Sequence, residues 1–250
     1  MFNKIETDLG YVQRPYKRFS ELVGRVNYLL NPSKYSRYFE DFTGWNGVDI
    51  ATTAMAGWAV TQATAGSATL DPVVNGVLLL DSASSTEGQG IQIQQNIGAY
   101  YTPAAGRKIW FSARCKIASS ALDCQFFAGL AQINTTIIAS NVITNDIDLI
   151  GFGMQKDDAG VLSAFACLGT DLDEDAGPTL VDDTWFLLEM EIDGLTGMRF
   201  WVDGVEITLS NITSSNFPVD PMVPTFVCQV DDGSTTPILH IDYVEVMATR

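Results

Sequence analysis

The stretch Trp185-Phe-Leu-Leu-Glu-Met-Glu-Ile-Asp-Gly-Leu-Thr-Gly-Met-Arg-Phe-Trp-Val-Asp-Gly-Val-Glu-Ile207 decides the fold class of this 250-residue chain. Phe186, Leu188, Met190 and Ile192 alternate with Leu187, Glu189, Glu191 and Asp193, the period-two pattern of a strand with one buried face. Asp193-Gly194-Leu195-Thr196-Gly197 then supplies a turn. Met198 to Val202 meets Val205 to Ile207 across Asp203-Gly204, a two-residue link suited to a type I′ hairpin.

The same texture extends in both directions from Phe39 onward, in short apolar or alternating segments divided by Gly, Asp, Asn and Pro. In Ile109 to Ile117, the residues Ile109, Phe111, Ala113, Cys115 and Ile117 share the predicted buried face, with Ser112, Arg114 and Lys116 opposite. Further strands are predicted near Gly76 to Leu80, Gly90 to Gln94, Gln125 to Leu130, Leu149 to Met154, Val161 to Leu168, Thr225 to Val230 and Leu239 to Met247. With 46% hydrophobic residues the chain can bury one sizeable core, so residues 39–250 are read as a single β-sandwich domain.

Residues 1–38 read differently. They hold Lys4, Arg14, Lys17, Arg18, Arg25, Lys34 and Arg37, half of the 14 basic residues in a chain whose formal net charge is −16. After Pro15, Phe19, Leu22, Val23, Val26, Leu29 and Leu30 follow helical spacing, which predicts an amphipathic helix ending before Asn31-Pro32. A cationic arm on an anionic body suits an acidic partner surface, and Arg14, Tyr16, Lys17, Arg18, Phe19, Leu22, Arg25 and Val26 are its candidate partner-binding residues. A solvated basic tail, or packing against the chain's own sandwich, are the alternatives.

Composition excludes several classes. The anionic surface repels nucleic acid and anionic lipid. No apolar run approaches the length of a membrane span, and Lys4, Glu6, Asp8 and Arg14 stand where a signal peptide would need an apolar stretch, so export by that route is not expected. Cys115, Cys124, Cys167 and Cys228 lack metal-binding spacing and read as buried free thiols.

The Trp185 to Ile207 stretch resembles the corresponding strands of concanavalin-A-like and laminin-G-like jelly rolls. Leu239-His240-Ile241-Asp242-Tyr243-Val244-Glu245-Val246 resembles their closing strand, and Gly76-Val77-Leu78-Leu79-Leu80-Asp81 an early one. An all-β jelly-roll sandwich with an extended or partly helical N-terminal arm is therefore expected. Within that superfamily, Phe39-Glu40-Asp41-Phe42 after a charged, aromatic-rich arm resembles virion proteins of tailed bacteriophages. This implies a capsid decoration or head-fibre-like component, assembled in the host cytoplasm and present in many copies or as a homo-oligomer. Residues 1–38 would anchor it to the major capsid protein or another virion protein. The alternative is a carbohydrate-binding adhesion module, with a glycosidase behind it.

The chemical signals are weighed against plain structural roles. Glu189, Glu191 and Asp193 invite comparison with laminarinase-like glycosidases, but those carry Glu-x-Asp-x-x-Glu or a one-residue-shorter form. Here the order is Glu-x-Glu-x-Asp, so the three are read as the solvated face of a strand and no enzyme is expected. His240, the sole histidine, lacks a Gly-x-Ser-x-Gly partner, and Gly151-Phe152-Gly153 reads as strand glycine. Asp171, Asp173 and Asp175 place alternate carboxylates in an expected loop, where they are candidate calcium ligands. Calcium is common in laminin-G-like folds, a solvated acidic loop is the alternative, and no other cofactor is expected. Among the tryptophans, Trp110 and Trp201 fall opposite apolar neighbours and are expected to be exposed or to face another subunit.

Overall fold

The computed structural model describes residues 32–43, 57–63, 66–72, 76–96, 100–119, 122–233 and 235–250. The proposed partner-binding residues Arg14 to Val26 and the predicted arm helix lie outside the described residues, as does Trp45.

Alternation becomes pairing at β6 (Lys108–Ala118), whose Ile109, Phe111, Ala113, Cys115 and Ile117 are buried on one face. It lies between β13 (Trp185–Asp193) and β17 (Ile238–Thr249). The sheet extends through β14 (Gly197–Val202) and β15 (Val205–Glu206) on one side, and through β4 (Leu78–Asp81) and β3 (Ser67–Leu70) on the other. β1 (Tyr35–Glu40) also pairs with β17, from Tyr35 opposite Thr249 to Glu40 opposite Val244, and so crosses the boundary expected at residue 38. The hairpin forms as predicted: Asp203 and Gly204 take φ of 49° and 81°, and Val202 pairs with Val205.

The opposing sheet runs β12 (Asp171–Thr179), β11 (Val161–Leu168), β10 (Leu149–Met154), β7 (Cys124–Ala131), β16 (Val223–Val230), β5 (Gly90–Gln95) and β2 (Trp58–Ala63). Inner-face rings join the two sheets. Phe126 meets Phe186 with centroids 6.2 Å apart, and Phe152 meets Phe200 at 5.4 Å, both edge to face. That geometry sets the positive ring edge against the negative face. The described residues form an all-β jelly-roll sandwich of two antiparallel sheets, with the main core between them. No helix among the described residues is long and apolar enough to cross a membrane.

Three local expectations change. Asp171, Asp173 and Asp175 lie on edge strand β12, not in a loop, because residues 210–216 bring donors to them. Ser210 Oγ and the backbone N–H groups of Asn211 and Ile212 donate to Asp175, and Asn216 Nδ2 donates to Asp173. Those bonds replace the water that such carboxylates would otherwise hold. Glu189 and Glu191 are not solvated, each being only 8% exposed. Trp110 Nε1 and Lys108 Nζ donate to Glu191 across neighbouring strands. Trp201 is buried rather than exposed, with the Arg199 guanidinium over its ring at 4.9 Å.

Candidate functional site

The outer faces of the two sheets differ in what they leave open. On the β6 sheet, cations stand over the aromatic rings. Arg37 lies 5.0 Å from the Phe39 ring centre and Arg114 lies 4.4 Å from that of Trp185, with Lys116 also over Trp185. A ring already capped by a cation offers that face to no sugar. Trp110, half-buried, sits beside Tyr35 and spends its N–H on Glu191.

On the β7 sheet the outer face is apolar at its centre and amide-rich toward β5. Phe127, Phe165, Cys167, Val227 and Leu149 would face water there but for segment 132–148, which lies across them. This segment includes the short hairpin of β8 (Ile138–Ala139) and β9 (Val142–Ile143), and it buries Ile137, Ile138, Ile143 and Ile147. Each such side chain contributes about 1.5–3 kcal/mol by leaving water, so the cover stays on. Glycine makes the fit possible: a Cβ on Gly153 of β10 would meet Ile143 Cδ1 at 2.5 Å.

Glutamines hold the cover at its edges. Alternation on β5 turns Ile91 and Ile93 into the core and Gln92 and Gln94 outward. Gln92 Oε1 accepts from Ile137 N at 2.9 Å, and its amide nitrogen donates to Asn134 O. Gln94 Oε1 accepts from Asn134 N at 2.9 Å while its Nε2 donates to Gln132 O at 3.0 Å. Gln155 Oε1 accepts from Ile143 N at 2.9 Å on the far side. At the base, Gln132 N donates to Asp148 O and Asp148 N donates back to Gln132 Oε1. The Asp148 carboxylate, 3% exposed, accepts backbone N–H from Gly169, Val219 and Asp220 at 2.9, 2.6 and 2.8 Å.

Between this cover and the β2–β5 edge runs a groove of about 440 Å³. Thr61, Gln62, Gln92, Thr135, Ser140 and Gln229 line it, and among the described residues no charged side chain does. Its size is that of small-molecule sites, and its amides and hydroxyls both donate and accept hydrogen bonds. These residues carry no sequence motif, since an uncharged amide belongs to none; the alternation of Ile91 and Ile93 with Gln92 and Gln94 is the signal that marks them.

The residues singled out in the sequence are not gathered here. Glu189, Glu191 and Asp193 lie on the β6 sheet. His240 is half-buried there, its ring edge-on to Trp185 at 6.3 Å. Asp171, Asp173 and Asp175 lie on β12 at the far edge of the β7 sheet, and among the described residues no three His, Cys, Asp or Glu side chains form a metal-binding group. All four cysteines are buried and free.

No family model matches the chain, and no curated protein sequence does. Solved structures do. The GH16 protein of a Bacteroides ovatus mixed-linkage glucan locus, in complex with a G4G4G3G product, has a TM-score of 0.56 at 14% identity, over 84% of this chain and 99% of its own. A beta-1,3-glucanase from Mycobacterium marinum gives 0.54 at 14% identity, over 84% and 97%. The carbohydrate recognition domain of Emp47p gives 0.54 at 10% identity, over 86% and 96%. At such identities the likeness is one of fold. It corrects two expectations. The capsid-decoration reading, with its virion partners and lattice of copies, gives way, because these neighbours are glucan-associated and carbohydrate-recognising proteins. The expectation of a chain without catalysis falls on the same finding, since glycoside hydrolases stand among them.

Proposed function

We propose that this chain is a glycan-binding module of concanavalin-A-like fold, and that an uncharged saccharide segment sits in the groove between segment 132–148 and the β2–β5 edge. The observation that carries this reading is the lining itself: side-chain amides and hydroxyls with no fixed charge, on a rigid sheet and beside a pinned cover. Such groups match the mixed donor and acceptor character of sugar hydroxyls. The neighbours named above lend support through fold. Retardation in native gels containing soluble glucans, together with a glycan array, tests it. Gln229→Ala combined with Thr61→Ala is expected to weaken binding at least tenfold while leaving circular dichroism unchanged. An array showing no saturable binding to any neutral glycan would remove the reading.

A hydrolytic role is the second reading, and one observation favours it. Asp158 and Glu174 stand beside the cover on either side of Gln155, which donates its backbone N–H to the first and its side-chain nitrogen to the second. Burial raises both carboxyls above their ordinary range, and the charge of Asp158 adds to the effect on Glu174. A carboxyl whose pKa is shifted upward is the kind of group that general acid catalysis draws on. Release of reducing ends from β-1,3- and mixed-linkage glucans, lost on Glu174→Gln, is the expected result. Wild-type protein releasing none would end this reading and leave binding intact.

A further inference from the structure

The groove is stopped at one end, and the stop is built from strained backbone. Ser140 and Asn141 join β8 to β9 with φ of 51° and 72°, the positive pair of a type I′ turn. Glycine and asparagine take such angles readily, whereas the Cβ of a serine crowds the next carbonyl. The turn keeps this shape because Asn141 is gripped on three sides. Its Oδ1 accepts from the buried Gln125 Nε2 at 3.0 Å, its side-chain nitrogen donates to Glu87, and its carbonyl accepts from Lys156 N at 3.1 Å. Lys156 Nζ in turn holds Glu87 at 2.6 Å. An outlier fixed by so many partners marks a place where shape matters.

That turn meets the β4–β5 connection at the head of the groove. Gly88 and Ser140 both line the groove, and a Cβ on Gly88 would lie 3.7 Å from Asn141 Oδ1. Their sequence neighbours Glu87 and Asn141 are hydrogen-bonded to each other, so the two walls join there. The floor runs back from this junction along β5. Gly90 stands opposite Gln229 of β16 and Ala63 of β2 and, as glycine, adds no side chain to the floor; two residues on, Gln92 stands opposite Val227 and Thr61. From Gly88 to Gln92 is about 13 Å of extended chain, at about 3.3 Å per residue. Beyond Gln92 the cover comes down onto the sheet, where Gln94 holds both Asn134 N and Gln132 O. A polymer passing through would need two open ends, and the joined walls close one.

We propose that the groove receives the free terminus of a neutral glucan chain, and that the Ser140-Asn141 turn, clasped to Glu87, is the wall against which the terminal sugar rests. This inference rests on the glycan-binding reading and narrows it from any saccharide segment to a chain end. A terminal sugar carries a free hydroxyl where an internal one carries its onward linkage. Ser140, lining the groove at the wall, brings a hydroxyl that both donates and accepts. An internal unit would have to push its onward linkage through the contact between Glu87 and Asn141.

Calorimetry with β-1,3- and mixed-linkage glucan oligosaccharides, graded from disaccharide to hexasaccharide, and with soluble polymers of known length tests it. Affinity is expected to be flat beyond the trisaccharide, and each polymer chain is expected to take one protein whatever its length. Asn141→Gly suits the turn's angles and removes the side-chain clasp, so this variant is expected to load several copies on each polymer chain. Glu87→Ala, which leaves the turn itself untouched, is expected to shift the stoichiometry the same way to a lesser extent. Circular dichroism matching wild type shows that each variant keeps the fold. Wild-type stoichiometry that grows with polymer length, or affinity that climbs as far as the hexasaccharide, overturns the chain-end inference and leaves glycan binding standing. One copy per chain in both folded variants overturns it as well. No heat with any of these glucans also overturns it, and a silent glycan array would then remove the binding reading too.

Discussion

Asp148 shows how a single side chain positions the site. Its carboxylate receives three backbone N–H groups from two separate loops, and its main chain closes the base of the cover. Hydrogen bonds to an ionised acceptor contribute about 1.5–3 kcal/mol each and the three are coupled, so Asp148→Ala should cost about 3–5 kcal/mol in urea unfolding. Asp148→Asn should cost less, because the amide oxygen still accepts. His240 gives a pH signature. Burial, and behind it the ammonium of Lys116, holds the imidazole below its ordinary 6.5. Between the lowered folded value and 6.5 the unfolded chain binds more protons than the folded one, so stability declines as the pH falls through that window and levels off below it. His240→Gln should remove that part of the slope when urea midpoints are compared from about pH 7.5 downward.

At the scale of elements, the glutamine ladder makes the cover a separable unit. Gln92 and Gln94 together give five hydrogen bonds, four of them to segment 132–137. Replacing both with alanine should leave the sandwich intact and raise amide exchange in residues 132–143 at least tenfold over that in β6. Equal exchange in both regions would show that the isoleucines alone hold the cover. The same elements show what the sequence made legible. β6, β10, β13 and the Asp203-Gly204 hairpin could be read because an apolar period or a positive-φ pair is a local property. β12 could not, since Asp171-Leu-Asp-Glu-Asp-Ala-Gly-Pro carries the composition of a loop and becomes a strand through donors some 35 to 45 residues further on. The cover was equally hidden. Its isoleucines follow no period, because they pack down onto a sheet face without joining it. The groove lies between β2, β5 and that cover, so it inherits the invisibility of both partners.

For the molecule as a whole, charge and recognition are divided. The chain carries a formal −16, yet the described residues that line the groove carry no charge. Association with a neutral glycan should therefore keep its affinity between low and about 0.5 M salt, since there is no ion pair to screen, while sulfated or uronic polymers should be repelled at low salt. Affinity electrophoresis across a salt series reads both, and strong salt dependence on a neutral glucan would place the contact outside the groove. One feature of the outline bears on handling as well as function. β12 borders the β7 sheet with Asp171, Asp173, Glu174, Asp175 and Pro178, and β15 at one end of the β6 sheet is only two residues long. A negatively charged rim interrupted by proline and a stub too short to template a neighbour both discourage strand-to-strand growth. Concentrated solutions should accordingly stay free of fibrils, and molecules immobilised side by side on a polysaccharide gel should remain individually dissociable.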